Sequence, residues 1–235
     1  MIRLTKKRQE DVAFVTMVAK AYWNDRGKAM EDVAKELDIS EGAVSKCIYI
    51  AGVKNWISYQ MLCDIKTKEH YQQCKHYDEG AKETGSDKYF NEVLFPERRK
   101  YIRDHLTKEY CTKVVSIYLE NAQYADVHVL MGLSREEMND IIIKGSILRM
   151  IPDGTFRALI SASILRGGNQ DVLAFIKSAR EDYFYLPGEI QEREEMLRTY
   201  DEVYSDADEA PSKEEIQNSI DQKKAQLERI KRFVD

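Results

Sequence analysis

The stretch Ala29-Met-Glu-Asp-Val-Ala-Lys-Glu-Leu-Asp-Ile-Ser-Glu-Gly-Ala-Val-Ser-Lys-Cys-Ile48 decides how this chain is read. Val33 and Leu37 share a face of one short helical pattern, and Val44, Cys47 and Ile48 share a face of a second. Between them, Ile39 supplies an apolar plug and Ser40 a hydroxyl suited to cap the second helix. Two short helices that meet steeply need a small residue where they approach, and Ala34 sits at that place. The turn position is Asp38. Turns of this kind often need φ > 0, which Asp tolerates better than most residues.

This segment resembles the helix-turn-helix family of bacterial and phage DNA-binding regulators, over about 20 residues, or about 30 with the helix ending at Tyr22-Trp23. The register from Tyr22 through Val33–Leu37 to Val44-Ser45-Lys46 is also similar to the stage III D sporulation regulators. The resemblance implies that a helix over about 41–51 enters the major groove of double-stranded DNA. Carried over, Ser40, Glu41, Gly42, Ala43, Ser45, Lys46 and Tyr49 face DNA. Ser45 and Lys46 are the strongest of these, and Gly42 lets the backbone come close to the groove wall. Arg3, Lys6, Lys7 and Arg8 make a basic N-terminal arm suited to phosphate contacts, or simply a solvated terminus.

Ninety-four residues further on the pattern returns. Asp126-Val127-His128 aligns with Asp32-Val33-Ala34, Met131-Gly132-Leu133-Ser134 with Leu37-Asp38-Ile39-Ser40, and Ile141-Ile142 with Cys47-Ile48. Ser134 and Glu137 have capping-box spacing. Glu136, Glu137 and Asp140 are the wrong charge for phosphate, so this degenerate copy is expected to serve packing or protein contact. The alternative is a second DNA or partner surface built on Arg135, Asn139 and Lys144.

The rest of the chain reads as helix. Val15, Val18 and Tyr22 form one stripe; Val172, Phe175, Ile176, Ala179, Tyr183 and Leu186 form another. Period-two alternation is missing, so the expected fold is all-α. It divides into an N-terminal helix-turn-helix domain at 1–78, a second such domain at 89–168, and an acidic C-terminal helical region at 169–235. The polar stretches 79–88 and 205–212 read as linkers, with Ser212 and Glu215 opening the last helix. That helix spaces Ile216, Ile220, Lys223, Leu227, Ile230 and Val234 almost as heptads. It packs either in cis or on a second subunit, and a homodimer through the C-terminal helices is the expectation.

Composition narrows the functional classes. The 235 residues carry 36 Lys and Arg against 41 Asp and Glu, a net charge of −5, with 43% hydrophobic residues. The apolar fraction supports a packed core, and the sign excludes a histone-like coat. Residues 169–235 hold a net −7 and residues 1–53 a net +1, so the acidity is confined to the C-terminal quarter. No apolar run approaches the roughly 20 residues that span a bilayer, and the N-terminus has no secretory pattern, which points to a cytoplasmic protein with reduced cysteines and no membrane partner. Cys63, His70 and Cys74 share a helix face, but a rise of about 1.5 Å per residue spreads them over about 16 Å, too far for one zinc ion. Phosphate loops and hydrolase motifs are absent from the sequence, so neither a cofactor nor catalysis is expected. The reading is a sequence-specific DNA-binding regulator; its rival is a protein-binding adaptor or inhibitor, even a DNA mimic, that uses the acidic region.

Overall fold

The structure is a computed structural model that describes residues 4–74, 84–121, 126–165, 167–203 and 211–235, without the side chain of Cys74. Every regular element among the described residues is a helix, as the periodicity predicts. In chain order these are α1 (Lys6–Glu10), α2 (Val12–Asn24), α3 (Met30–Glu36), α4 (Glu41–Val53), α5 (Tyr59–Cys74) and α6 (Gly85–Tyr89). A π-helical turn (Phe90–Leu94) leads into α7 (Phe95–Asp104). Then come α8 (Lys108–Glu120), α9 (Val127–Leu130), α10 (Arg135–Ile147), α11 (Asp153–Leu165), α12 (Gln170–Arg198), α13 (Tyr200–Val203) and α14 (Lys213–Lys231). None of the described helices is long and apolar enough to cross a membrane.

The chain forms two compact units. The first is Met1–His105 with Gln123–Met138; the second is Leu106–Ala122 with Asn139–Asp235. Residues 89–168 are therefore shared between the two units. Thr84 caps α6, so the end of the stretch 79–88 is helix and only its start, residues 79–83, lies outside the described residues.

The first unit is built around α2, α3 and α4. Asp11 caps α2 by accepting from the Phe14 amide at 3.1 Å. The stripe Val15, Val18, Ala19 and Tyr22 then packs against Val33 and Ala34 of α3 and Val44, Cys47, Ile48 and Ala51 of α4. Leu62 and Ile65 of α5 close the same core with Phe90 and Leu94. Each such aliphatic side chain contributes about 1.5–3 kcal/mol when fully buried, which outweighs the weak intrinsic preference of β-branched residues for helix. Lys68 is buried as well. Its ammonium donates to the carbonyls of Tyr22 (2.5 Å) and Asp25 (2.6 Å) at the end of α2 and lies 3.7 Å from the Tyr22 ring centre. It thus satisfies carbonyls that the helix end leaves unpaired, although burial pushes its pKa down.

Asp87 ties α6 to α5. Burial alone would raise its carboxyl, but hydrogen bonds from His70, the Thr84 amide and the Thr84 hydroxyl outweigh that and hold it at about 2, below its ordinary 3.8. A folded-state pKa below the unfolded one stabilises at pH above the unfolded value and stops doing so as pH falls through the folded value. Asp87 is therefore expected to contribute about 2 kcal/mol near neutrality, lost between about pH 4 and pH 2. Urea titrations at several pH values check this: Asp87→Asn should be less stable than the parent at pH 6 and nearly equal to it at pH 2.

In the second unit α12 and α14 pair lengthwise. Ile216, Ile220, Ile230 and Val234 bury against Ala179, Leu186 and Ile190. Lys223 occupies a core-type register position in sequence, yet its ammonium reaches Glu189 at 2.6 Å, and Lys224 reaches Glu194 at 2.7 Å. The capping box of Ser212 and Glu215 opens α14 as its spacing predicts. The apolar stripe left open to a second subunit in the sequence is thus covered within the chain. Elsewhere in this unit α8 and α10 approach so closely that a Cβ on Gly145 would lie 2.9 Å from the Cys111 sulfur. Any larger residue there would force the Cys111 side chain to move.

Candidate nucleic-acid interface

The turn between α3 and α4 has the geometry its residues suggest. Val33, Ala34, Ile39, Val44, Cys47 and Ile48 are all buried. Asp38 takes φ = 50°, and the Ile39 amide donates back to the Ala34 carbonyl at 3.0 Å. Ser40 then starts α4, its hydroxyl accepting from the Ala43 amide at 3.2 Å. Because the apolar stripe of α4 faces α2 and α3, the opposite face is solvent-exposed. It carries Glu41, Gly42, Ser45 and Lys46, with Ser40 exposed at its start.

Two of the residues assigned to that face do something else. Ala43 is only 5% exposed and belongs to the core, because its position shares the stripe of Val44 and Cys47. Tyr49 is half-buried, and its hydroxyl donates to Glu97 of α7. That bond, more than burial, pushes the phenol up to about 12. Lys46 is the one cation within α4. Nearby, Lys35 pairs with Glu31 at 2.6 Å and Lys28 with Glu36 at 2.5 Å, yet α3 remains acidic, with Glu31, Asp32 and Glu36 against Lys35.

The basic terminus is not an extended arm from Lys6 onward. Thr5 caps α1, which fixes Lys6 and Lys7 on an exposed helical turn. Arg8 is half-buried and lies 5.2 Å from the Phe14 ring centre. Arg3 lies outside the described residues.

At an offset of 94 residues the same backbone pattern recurs. Gly132 takes φ = 66° where Asp38 takes 50°, and the Leu133 amide donates to the His128 carbonyl at 3.0 Å as Ile39 does to Ala34. Ser134 and Glu137 form their capping box. The likeness continues past the long helix of each motif. Asn55 (φ = 58°) and Arg149 (φ = 55°) occupy matching turns, followed by Trp56→Ala51 at 2.8 Å and Met150→Gly145 at 2.9 Å.

Each of these turns is locked by a buried arginine. Arg98, fully buried on α7, donates to the carbonyls of Gly52 (2.8 Å), Ile57 (2.9 Å) and Gly132 (3.0 Å), to the Asn55 side chain (2.6 Å) and to Glu137 (2.6 Å). All five guanidinium donors are used. Arg180 on α12 does the matching work in the second unit. It donates to the carbonyls of Ser146 and Ile151, which stand 94 residues after Gly52 and Ile57, and to Asp153 at 2.6 Å.

The second candidate surface is reduced by burial. Arg135 is exposed, 3.8 Å from Asp126, and Asn139 is exposed. Lys144 is only 8% exposed, so it presents no contact surface. Glu137 does not face a partner either; it turns inward to Arg98. Of the metal candidates, His70 is paired with Asp87, and among the described residues no three His, Cys, Asp or Glu side chains are grouped as metal ligands would be.

Arg98, Arg180 and Lys68 were not anticipated from the sequence. A cation placed on an apolar stripe was the available signal: Leu94, Arg98 and Ile102 are spaced i, i+4, i+8, and Ile176 and Arg180 are spaced i, i+4. Compared with known protein families, curated proteins and solved structures, the chain matches none.

Proposed function

We propose that the chain is a sequence-specific double-stranded DNA-binding protein, a regulator that reads the major groove with α4. The observation that carries this reading is the exposed face of α4. A bare Gly42, the hydroxyl of Ser45 and the ammonium of Lys46 stand in a row on a helix held rigid by α2 and α3. A rigid helix with short polar residues near its N-terminus suits entry into the groove, where base edges can be read by hydrogen bonds. Lys6 and Lys7 supply phosphate contacts. With one cation on α4 and a weakly basic N-terminal region, non-specific affinity is low, so discrimination rests on the α4 face.

Selection of bound sequences from a random duplex pool tests this. A single enriched motif is expected, and an unenriched pool refutes sequence-specific binding. On the selected duplex, Lys46→Glu should weaken binding by ~30-fold or more at moderate salt, since it replaces an attraction by a repulsion. Its melting temperature should match the parent's, because Lys46 is exposed.

A second reading, a protein-binding adaptor, is favoured by the second turn. There the turn that leads into α10 is packed against protein: the Tyr59 amide and Arg98 both donate to the Gly132 carbonyl. On either reading we regard residues 33–57 and 127–151 as two versions of one turn–helix–turn motif, supported by the shared turn angles and the matching arginines. They differ in whether the turn is open.

A further inference from the structure

We propose that the groove at the α3–α4 turn receives the α10–α11 turn of a second copy of this chain, so that the protein associates head to tail.

The template is a contact already present in the first unit. The turn Met131-Gly132-Leu133 is covered by Ser58-Tyr59 at the start of α5. The Tyr59 amide donates to the Gly132 carbonyl at 2.8 Å, Arg98 donates to the same oxygen at 3.0 Å, and a Cβ on Gly132 would lie 3.0 Å from that of Ser58. Arg98 continues to Glu137 in the first turn of α10. A helix-turn-helix turn is therefore an acceptor, and a post-helix turn backed by a buried arginine is its donor.

Each element exists twice, and one copy of each is exposed. The remaining donor is Ile151-Pro152-Asp153 backed by Arg180, where Pro152, Asp153 and Gly154 are exposed. The remaining acceptor is the turn Asp38-Ile39-Ser40. It borders an open groove of about 630 Å³ lined by Glu31, Ala34, Lys35, Asp38, Glu41 and Gly42 among others. The charges are complementary. Three acids stand on the groove against Lys35, whereas Arg180, Arg149 and Arg157 all act on Asp153 and hold its carboxyl below the usual range.

The fit is not a replica of the internal contact. Asp38 replaces Gly132, and its side chain keeps the two backbones further apart. Ala43 replaces Glu137. The acid that meets arginine thus moves from the helix to the turn, and the contact runs through carboxylate–guanidinium pairs, which Arg makes in bidentate geometry. Donor and acceptor are different surfaces, so the association is heterologous and leaves one of each unfilled at the ends of every oligomer. This goes beyond the DNA-binding reading and does not use Lys46.

Sedimentation velocity on the full chain over a micromolar concentration series tests it. The sedimentation coefficient should rise with concentration at low salt and fall back at high salt. Glu31→Lys with Asp38→Asn blocks the acceptor, and Arg157→Glu blocks the donor. Each should weaken association about tenfold or more, with its circular dichroism melt close to the parent's. An equimolar mixture of the two variants should form a dimer and stop there, because each contributes its one intact surface. Lys46→Glu should associate like the parent, which separates this result from failure of DNA binding. A parent that stays monomeric throughout, association indifferent to both variants, or a mixture of folded variants that stays monomeric overturns the proposal.

Discussion

Replacing Arg98 by methionine is expected to destabilise the protein by about 3–5 kcal/mol, read as a lower urea midpoint. Methionine is close in length and suits an apolar stripe, so packing loss is small. What is lost is polar. The Ile57 carbonyl loses the guanidinium donor, the Gly52 and Gly132 carbonyls are left with only the Asn55 and Tyr59 amides, and Glu137 is stranded as a buried carboxylate without its countercharge. An unsatisfied buried group costs about 1–3 kcal/mol, more when charged. Lysine should rescue little, because three donors on a point charge cannot replace five in a planar fork. Trp23 and Trp56 are the two tryptophans and both lie in the first unit, so tryptophan emission follows this transition directly. A loss under about 1 kcal/mol would show that water or a shifted side chain replaces the guanidinium.

How much of this was legible in the sequence depends on what each residue's neighbours are. The all-helical fold follows from spacing alone, because a 3.6-residue period marks a buried face whatever covers it. The α3–α4 turn was legible in detail: Ala34, Ile39, Ser40 and Val44 each answer a local steric or capping need. Ala43 was misplaced onto the exposed face because alanine is too small to mark a stripe. Lys144 was misplaced because charge normally reports exposure, and here the helix buries it. Which surface covers the last helix is a long-range fact. The near-heptad pattern of α14 is equally compatible with α12 and with a second subunit, and only the folded chain shows that α12 takes it. Arg98 is only half legible for the same reason. Its place on the stripe of Leu94 and Ile102 sets it apart from Arg99, but its partners lie up to 46 residues away.

Arg180→Met should cost less than Arg98→Met, about 2–3 kcal/mol, and the difference tests which part of the arginine lock matters. The two residues hold matching carbonyls, Gly52 and Ile57 in one case and Ser146 and Ile151 in the other. They differ in their acids, and Arg98 alone also holds the Gly132 carbonyl and the Asn55 side chain. Glu137 is almost fully buried, whereas the Asp153 side chain is 80% exposed. Removing Arg180 therefore takes a donor from the Ile151 carbonyl and leaves Ser146 with the Arg149 amide at 3.2 Å, while Asp153 is simply hydrated. Its surface pairing is worth at most about 1 kcal/mol. Arg180 also lies 4.6 Å from the Phe156 ring centre, a contact methionine keeps in part through its sulfur. This unit has no tryptophan, so its unfolding is followed by far-ultraviolet circular dichroism. Adding Glu137→Gln to Arg98→Met should then recover about 1–2 kcal/mol, bringing that variant close to Arg180→Met. If carbonyl capping dominates instead, Glu137→Gln recovers nothing in the Arg98→Met background.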